Sequence, residues 1–447
     1  MAGSTPPVTT GPRPEGSQDK LKVALGCGVG ATIETYDFIG FGTAAALYFG
    51  SAFFPGSDPL SATLMSFATL GVGFAARPLG GVIAGHLGDR IGRKPVLVGS
   101  LLIMGIATVL IGLLPTYQQV GIWAPVLLVV IRIVQGLAFG AEWGGAILMT
   151  FEHAPWHRRG LYTGITQAGF PVGLLLANIA FLFSADLDGT WAWRLPFLLS
   201  AVLIVVGILV RLKVDESPEF EELKNSGEVS KNPLVEVLRD DWRNVLRALC
   251  LRVVETGGYA LSVTFLMSYL ESNGTPESVT LFALSFAAAL GIAATTLWGR
   301  ASDTFGRRAV YLVGCTVSLV WGIPMFLLAD TGSAVVITIV FVISYAVCQN
   351  SLAGVQGAWF SELFNAKTRT AGTSLSYQIS AVVSGFTPFV ATALYAQTGW
   401  LGPAVLFSAY GLLGLIAALI TSETWRPVSV AAASAEKEKT VVGTASR

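Results

Sequence analysis

The stretch Gly88-Asp89-Arg90-Ile91-Gly92-Arg93-Lys94 is a polar knot between two long apolar runs. Upstream, residues 64–87 are almost all Leu, Val, Gly, Ala and Phe, and residues 96–114 downstream have the same character. A charged seven-mer in that setting reads as a tight turn between two membrane-spanning helices. The pattern recurs about 214 residues later in Ser302-Asp303-Thr304-Phe305-Gly306-Arg307-Arg308, again between apolar runs. A second repeat has nearly the same offset: Glu152 stands seven residues before Arg159, and Glu362 stands seven before Arg369. Two repeated loops imply two halves built to one plan.

Composition agrees. Of the 447 residues, 53% are hydrophobic and 13% are charged, against about 25% charged in a soluble domain. A single soluble core could not hide this many long apolar runs, so the chain reads as a polytopic helical membrane protein with the lipid bilayer as its main surroundings. Net charge is zero, which argues against nucleic acid as a partner. Cys27, Cys250, Cys315 and Cys348 all fall in apolar runs, with no His or second Cys at metal spacing. They read as small packing groups, with no disulfide framework and no metal. No nucleophile–base pair, phosphate loop or metal cluster stands out, which argues against an enzyme. The polar, Pro/Gly/Ser-rich start lacks the pattern of a cleavable signal peptide.

Twelve spanning runs follow, near 23–49, 62–86, 96–114, 122–151, 161–184, 194–212, 247–270, 279–299, 309–329, 333–360, 371–396 and 401–421. The expected organisation is a disordered start (1–21), a six-helix half (22–212), a linker (213–246), a second six-helix half (247–421) and a disordered tail (422–447). In the linker, Ser217-Pro218-Glu219 suits a helix start, and Asn232-Pro233 before Leu234, Val237 and Leu238 suggests a short amphipathic helix. Lys and Arg crowd the even-numbered connections: Arg90, Arg93, Lys94, Arg158, Arg159, Arg300, Arg307, Arg308, Lys367 and Arg369. The odd ones hold acids instead, such as Asp58, Asp186, Glu271, Glu277 and Asp330. This asymmetry puts the even loops and both termini in the cytoplasm.

At this point the residues resemble a known family. Gly88-Asp89-Arg90-x-Gly92-Arg93-Lys94 resembles the signature loop of the major facilitator superfamily, and Arg132-Ile-Val-Gln135-Gly136 its fourth-helix motif. More narrowly, Ile33-Glu34-Thr35-Tyr36-Asp37-Phe38, Arg77-Pro78-x-Gly80-Gly81, Gly140-Ala141-Glu142-Trp143-Gly144-Gly145 and Glu152-His-Ala-Pro155-x-x-Arg158-Arg159-Gly160 resemble the metabolite:proton symporters. That group includes transporters of 2-oxoglutarate, citrate, shikimate and proline or betaine. Thr35 and Ala141 depart from its usual residues, which leaves substrate identity open. The resemblance implies a monomeric carrier in the plasma (inner) membrane, driven by a proton gradient without a cofactor. It implies a cytoplasmic gate at Gly88, Asp89, Arg90, Gly92 and Arg93, repeated at Asp303 and Arg307. In that gate Asp89 accepts hydrogen bonds from amides at the start of the eleventh helix, near Thr370–Thr373.

Ionisable residues inside spanning runs cost about 2.5–3.5 kcal/mol each on insertion scales, so they mark function or fixed pairs. Here they are Glu34 and Asp37, Arg77, Arg132 and Glu142, and Arg252 and Glu255. Glu34 and Asp37 lie three apart and share a face, as do Arg252 and Glu255. A carboxylate that changes partner as the cavity opens can take and release a proton, so Asp37, Glu34, Glu142 and Glu255 are the candidates for proton coupling. The guanidinium fork matches a carboxylate ligand, so Arg77, Arg132 and Arg252 are candidates for substrate binding, with Tyr36, Gln135, Trp143, Gln167, Tyr377 and Gln378. Tyr259, Asn350 and Gln356 are further polar groups expected to line the cavity. The expected activity is proton symport of a small organic acid, such as shikimate or a 2-oxo or dicarboxylic acid, by alternating access. A zwitterion such as proline or betaine is the second substrate class. Drug–proton antiport fits less well, because Gly169-Phe170-Pro171-Val172-Gly173 lacks the Gly-Pro-x-x-Gly-Gly run of those relatives. A nutrient sensor would share all these features without transport.

Overall fold

The computed structural model describes residues 20–91, 93–140, 143–187, 189–212, 233–365 and 368–425. These form an all-helical protein with twelve spanning helices. They are α1 (Lys20–Leu47), α2 (Pro59–Ile91), α3 (Arg93–Leu113) and α4 (Trp123–Phe139, resuming at Trp143–His153). Then come α5 (Arg159–Gln167 and Gly169–Ser184), α6 (Trp191–Leu212) and α7 (Trp242–Tyr259, then Ala260–Phe265 as a π-helix and Leu266–Ser272). The rest are α8 (Glu277–Phe305), α9 (Arg307–Ala329), α10 (Ala334–Val342, a π-helix at Ile343–Gln349, then Asn350–Leu363), α11 (Arg369–Thr398) and α12 (Leu401–Ile420).

Local chemistry explains the boundaries. The second helix starts at Pro59 because Asp58 accepts the amide of Ser61 at 3.1 Å, and Pro at the first position loses no bond. The seventh begins at Trp242, five residues before the apolar run, with Asp241 preceding it. A short helix at Pro233–Asp240 buries Val237 and packs on α7 and α11. Ser217-Pro218-Glu219, most of the N-terminal segment and residues 426–447 lie outside the described residues. The tail, expected to lose order after Ser422, keeps it through Trp425. The indole of Trp359 donates to Ser422 O at 3.3 Å, and that of Trp425 to Asp303 O at 2.8 Å.

Lipid-facing stripes are plain: Leu102, Ile106, Leu110 and Leu113 of α3 are all exposed at helical spacing. Polarity is concentrated inward instead, where α1 buries Glu34, Thr35, Tyr36 and Asp37 together. The two halves meet mainly where α2 packs on α11 and α5 on α8. The second contact is close because glycines stand at it on both helices. A Cβ at Gly160 would lie 2.4 Å from Gly299 O and 2.5 Å from the Arg307 guanidinium. Small residues let spanning helices approach this way. Gly306 turns α8 into α9 at φ 101°, in the left-handed region that favours glycine.

Replacing Gly160 with Val therefore forces α5 from α8. We expect a loss of about 1–3 kcal/mol in stability and severely reduced uptake. A melting temperature and transport rate matching the unmodified protein would refute the contact.

Candidate functional site

Between the halves lies a cavity of about 60 Å³, room for several waters. Its walls carry two carboxyl and two guanidinium groups: Glu34 of α1, Arg77 of α2, and Arg252 and Glu255 of α7. Phe38, Phe74, Phe139, Phe170, Tyr259, Tyr345 and Tyr377 supply an aromatic lining.

The groups are held differently. Arg252 forms a buried ion pair with Glu255 one turn on, and also donates to Gln356 Oε1. Gln356 in turn donates to Tyr311 Oη at 2.9 Å, and Tyr311 donates to Leu251 O at 2.6 Å. The guanidinium lies 4.3 Å from the ring centre of Tyr377, whose hydroxyl donates to Glu34 Oε1 at 3.2 Å. Arg77 is 6% exposed and lies between two rings, 3.8 Å from the centre of Phe74 and 3.7 Å from that of Phe139. No hydrogen bond or ion pair joins it to any other described side chain.

Behind this wall, inside the N-terminal half, sits a second buried cluster. Asp37 accepts from Thr108 Oγ1, and from Gln135 Nε2 at 2.6 Å. Arg132 donates to Gln135 Oε1 and stacks on Phe41 at 3.8 Å. The positive charge thus reaches Asp37 through an amide rather than by a direct ion pair.

Of the residues expected to bind substrate, Arg77, Arg252 and Tyr377 line the cavity, together with Tyr259 and Asn350. Arg132 and Gln135 do not; they hold Asp37. Tyr36 does not either: its hydroxyl donates to Pro196 O at 2.6 Å and ties α1 to α6. Gln167 and Gln378 bridge the halves, donating to Ala353 O at 3.2 Å and Gly140 O at 3.1 Å. Glu142 and the side chain of Trp143 lie outside the described residues. Among the expected carboxylates, Glu34 and Glu255 face the cavity and Asp37 faces the interior of its own half. Tyr345 and the four phenylalanines escaped the sequence reading. The polar string Ser344-Tyr345 and Gln349-Asn350 inside an apolar run was the available signal.

Gly88 falls within α2, while Gly92 and the side chains of Asp89, Arg90 and Arg93 lie outside the described residues. Their repeat is described. Asp303 accepts the amides of Gly160 and Leu161, both at 2.8 Å, at the start of α5. A carboxylate there satisfies unpaired amides and the positive end of the helix dipole. Arg307 donates to Asp303 at 2.6 Å and reaches Glu362 at 3.2 Å. Glu423 caps the start of α9, accepting the amides of Arg307 at 3.2 Å and Arg308 at 2.9 Å. On the opposite side of the cavity, Tyr48 of the first half donates to Glu277 of the second. Contacts between the halves thus stand on both sides of the cavity.

A sequence model described as Major Facilitator Superfamily matches residues 29–355 and 258–446. The chain belongs to this superfamily. It is 37% identical over 416 residues to the shikimate transporter of Escherichia coli K12, covering 91% of this chain and 95% of that one. The proline/betaine transporter of Escherichia coli K12 is 31% identical over 424 residues, covering 91% of this chain and 84% of the relative. A solved structure of the proton:xylose symporter XylE bound to 6-bromo-6-deoxy-D-glucose superposes with a TM-score of 0.71 at 16% identity, over 91% of this chain and 96% of that one. The protein is accordingly a membrane transporter of this superfamily and not an enzyme, and the two-half architecture is the superfamily's.

The Asp303 contact generates a prediction. Asn keeps its size but loses the charge, at a cost of about 1.5–3 kcal/mol for hydrogen bonds to a charged acceptor. In Asp303→Asn, a cysteine introduced by Ala353→Cys, in a chain free of other cysteines, should react on the order of tenfold faster with a cytoplasmic thiol reagent. Unchanged labelling and uptake would show that Asp303 does not hold the halves together.

Proposed function

We propose that this transporter couples inward proton flow to the uptake of a small carboxylate. One observation carries the reading: Arg77 faces the cavity without a hydrogen-bonded carboxylate partner among the described residues. A guanidinium lying between two rings uses none of its N–H donors on them in plane, which leaves the fork for a carboxylate ligand. Charge balance supports the coupling. The cavity walls hold two carboxylates and two guanidiniums, so an entering anion leaves one uncompensated negative charge in a poorly solvated space. A proton entering with it restores neutrality. Asp37, buried behind the wall, is the carrier of that proton, and Glu34, on the cavity itself, is the next candidate. The similarity to a shikimate transporter is in keeping with an acid as substrate.

A zwitterion such as betaine is the second reading, favoured by the aromatic lining, since aromatic faces attract quaternary ammonium groups. It is weaker because Arg77 already lies over Phe74 and Phe139, and Arg252 over Tyr377. In the cell the chain works as a monomer in the plasma (inner) membrane, with even loops and both termini cytoplasmic and no cofactor beyond the gradient.

Uptake into proteoliposomes, with and without an inward proton gradient, tests the assignment over a panel of labelled acids and betaines. Arg77→Lys keeps the charge and loses the fork, so apparent affinity for the acid should fall on the order of tenfold or more. An unchanged affinity would move the zwitterion ahead. Asp37→Asn imitates a permanently protonated group: concentrative uptake should vanish while exchange across the membrane persists. Accumulation against a gradient in that variant would hand the proton to Glu34 or Glu255.

A further inference from the structure

The wall facing Arg77 contains an unresolved polar demand. Tyr259 of α7 buries its hydroxyl with no hydrogen-bond partner among the described residues. Tyr345 of α10 is 2% exposed, and no hydrogen bond among the described residues reaches its hydroxyl either. Their ring centres are 5.7 Å apart, and both rings line the cavity beside Glu255. Glu255 is itself committed to Arg252. A buried polar group without a partner is costly, and a native structure retains one where something else completes it.

The backbone supports the same reading independently. Tyr259 immediately precedes the π-helix Ala260–Phe265, and Tyr345 lies within the π-helix Ile343–Gln349. A π turn inserts an extra residue and re-aims the side chains around it, and such turns concentrate at functional sites. Here the two turns place the two phenols on one wall, contributed by two helices of the C-terminal half. The ring of Phe38 backs Tyr259 at 6.3 Å, so its orientation is constrained by packing.

We propose that Tyr259 and Tyr345 form a hydroxyl-recognition subsite. The transported acid then spans the cavity, with its carboxylate on Arg77 in one half and at least one hydroxyl on the tyrosines in the other. This rests on the carboxylate reading above and narrows it to hydroxylated acids. A site built to satisfy its own polar groups through the ligand rejects the analogue that lacks them. The quaternary ammonium of a betaine offers these phenols neither a donor nor an acceptor.

The test uses the full chain in proteoliposomes with two matched pairs. Shikimate is set against cyclohex-1-ene-1-carboxylate, which lacks the ring hydroxyls, and malate against succinate. The unmodified protein should prefer the hydroxylated member of at least one pair by on the order of tenfold or more. Tyr259→Phe and Tyr345→Phe should each bring that ratio toward one by weakening the hydroxylated acid while sparing its partner. Without substrate, their melting temperatures in detergent should not fall, because only an unsatisfied hydroxyl is removed. A ratio unchanged by both substitutions, or a lowered melting temperature without substrate, overturns the subsite and leaves the carboxylate reading standing. Rejection of all four acids, with glycine betaine taken up, overturns both.

Discussion

Charge inside a helix bundle surrounded by hydrocarbon has little water to solvate it, and that constraint arranges the middle of this molecule. Each half answers it with an arginine and a polar partner three residues on. In the first half Arg132 holds Gln135 of the same helix, and Gln135 holds Asp37 of α1. In the second, Arg252 holds Glu255 of the same helix and Gln356 of α10. The amide and the carboxylate exchange places between the halves, but the logic is common. Removing one member of such a set leaves its partners buried and unsatisfied, which costs more than the set contributes. These clusters therefore fix register within each half.

Between the halves the demands differ, because alternating access needs contacts that form and break. The Asp303 carboxylate on the first amides of α5 suits that purpose. When the contact opens to solvent, water can take over both the carboxylate and the amides. The close approach that permits it comes from Gly160 and Gly299, which bring backbone to backbone, with the side chains of Ser302 and Arg307 laid against Gly160. A smooth interface can slide and reseat, while a deeply interdigitated one would resist. The tail joins this system: Glu423 caps α9, and Trp425 holds the carbonyl of Asp303, so the last described residues brace the loop that carries the carboxylate.

Much of this was legible in the chain. Spanning segments, the two-half plan and the inventory of buried charge are properties of local composition and of repeats, which need no folding to read. The Asp-x-x-Gly-Arg-Arg loop announced its turn through Gly306, and its Asp303 meets the first amides of α5. The roles of individual polar residues were far less legible. Glu34 and Asp37 are three apart and nominally share a face, yet one meets Tyr377 of α11 and the other meets Thr108 of α3. Three residues leave roughly 60° of rotation between two side chains at 3.6 residues per turn. On a helix packed on several sides, that rotation suffices to change the neighbour.

The sequence by itself determined that this chain crosses a membrane twelve times in two related halves, because the hydrophobicity of each segment and the spacing of the repeats are local. Only the tertiary structure decided which charges face the cavity, which are locked behind its wall, and that Arg77 stands without a carboxylate partner among the described residues. Those outcomes depend on pairs such as Glu34 and Tyr377, which lie 343 positions apart. No local pattern encodes such a distance; the closing of the two halves around the cavity creates the contact.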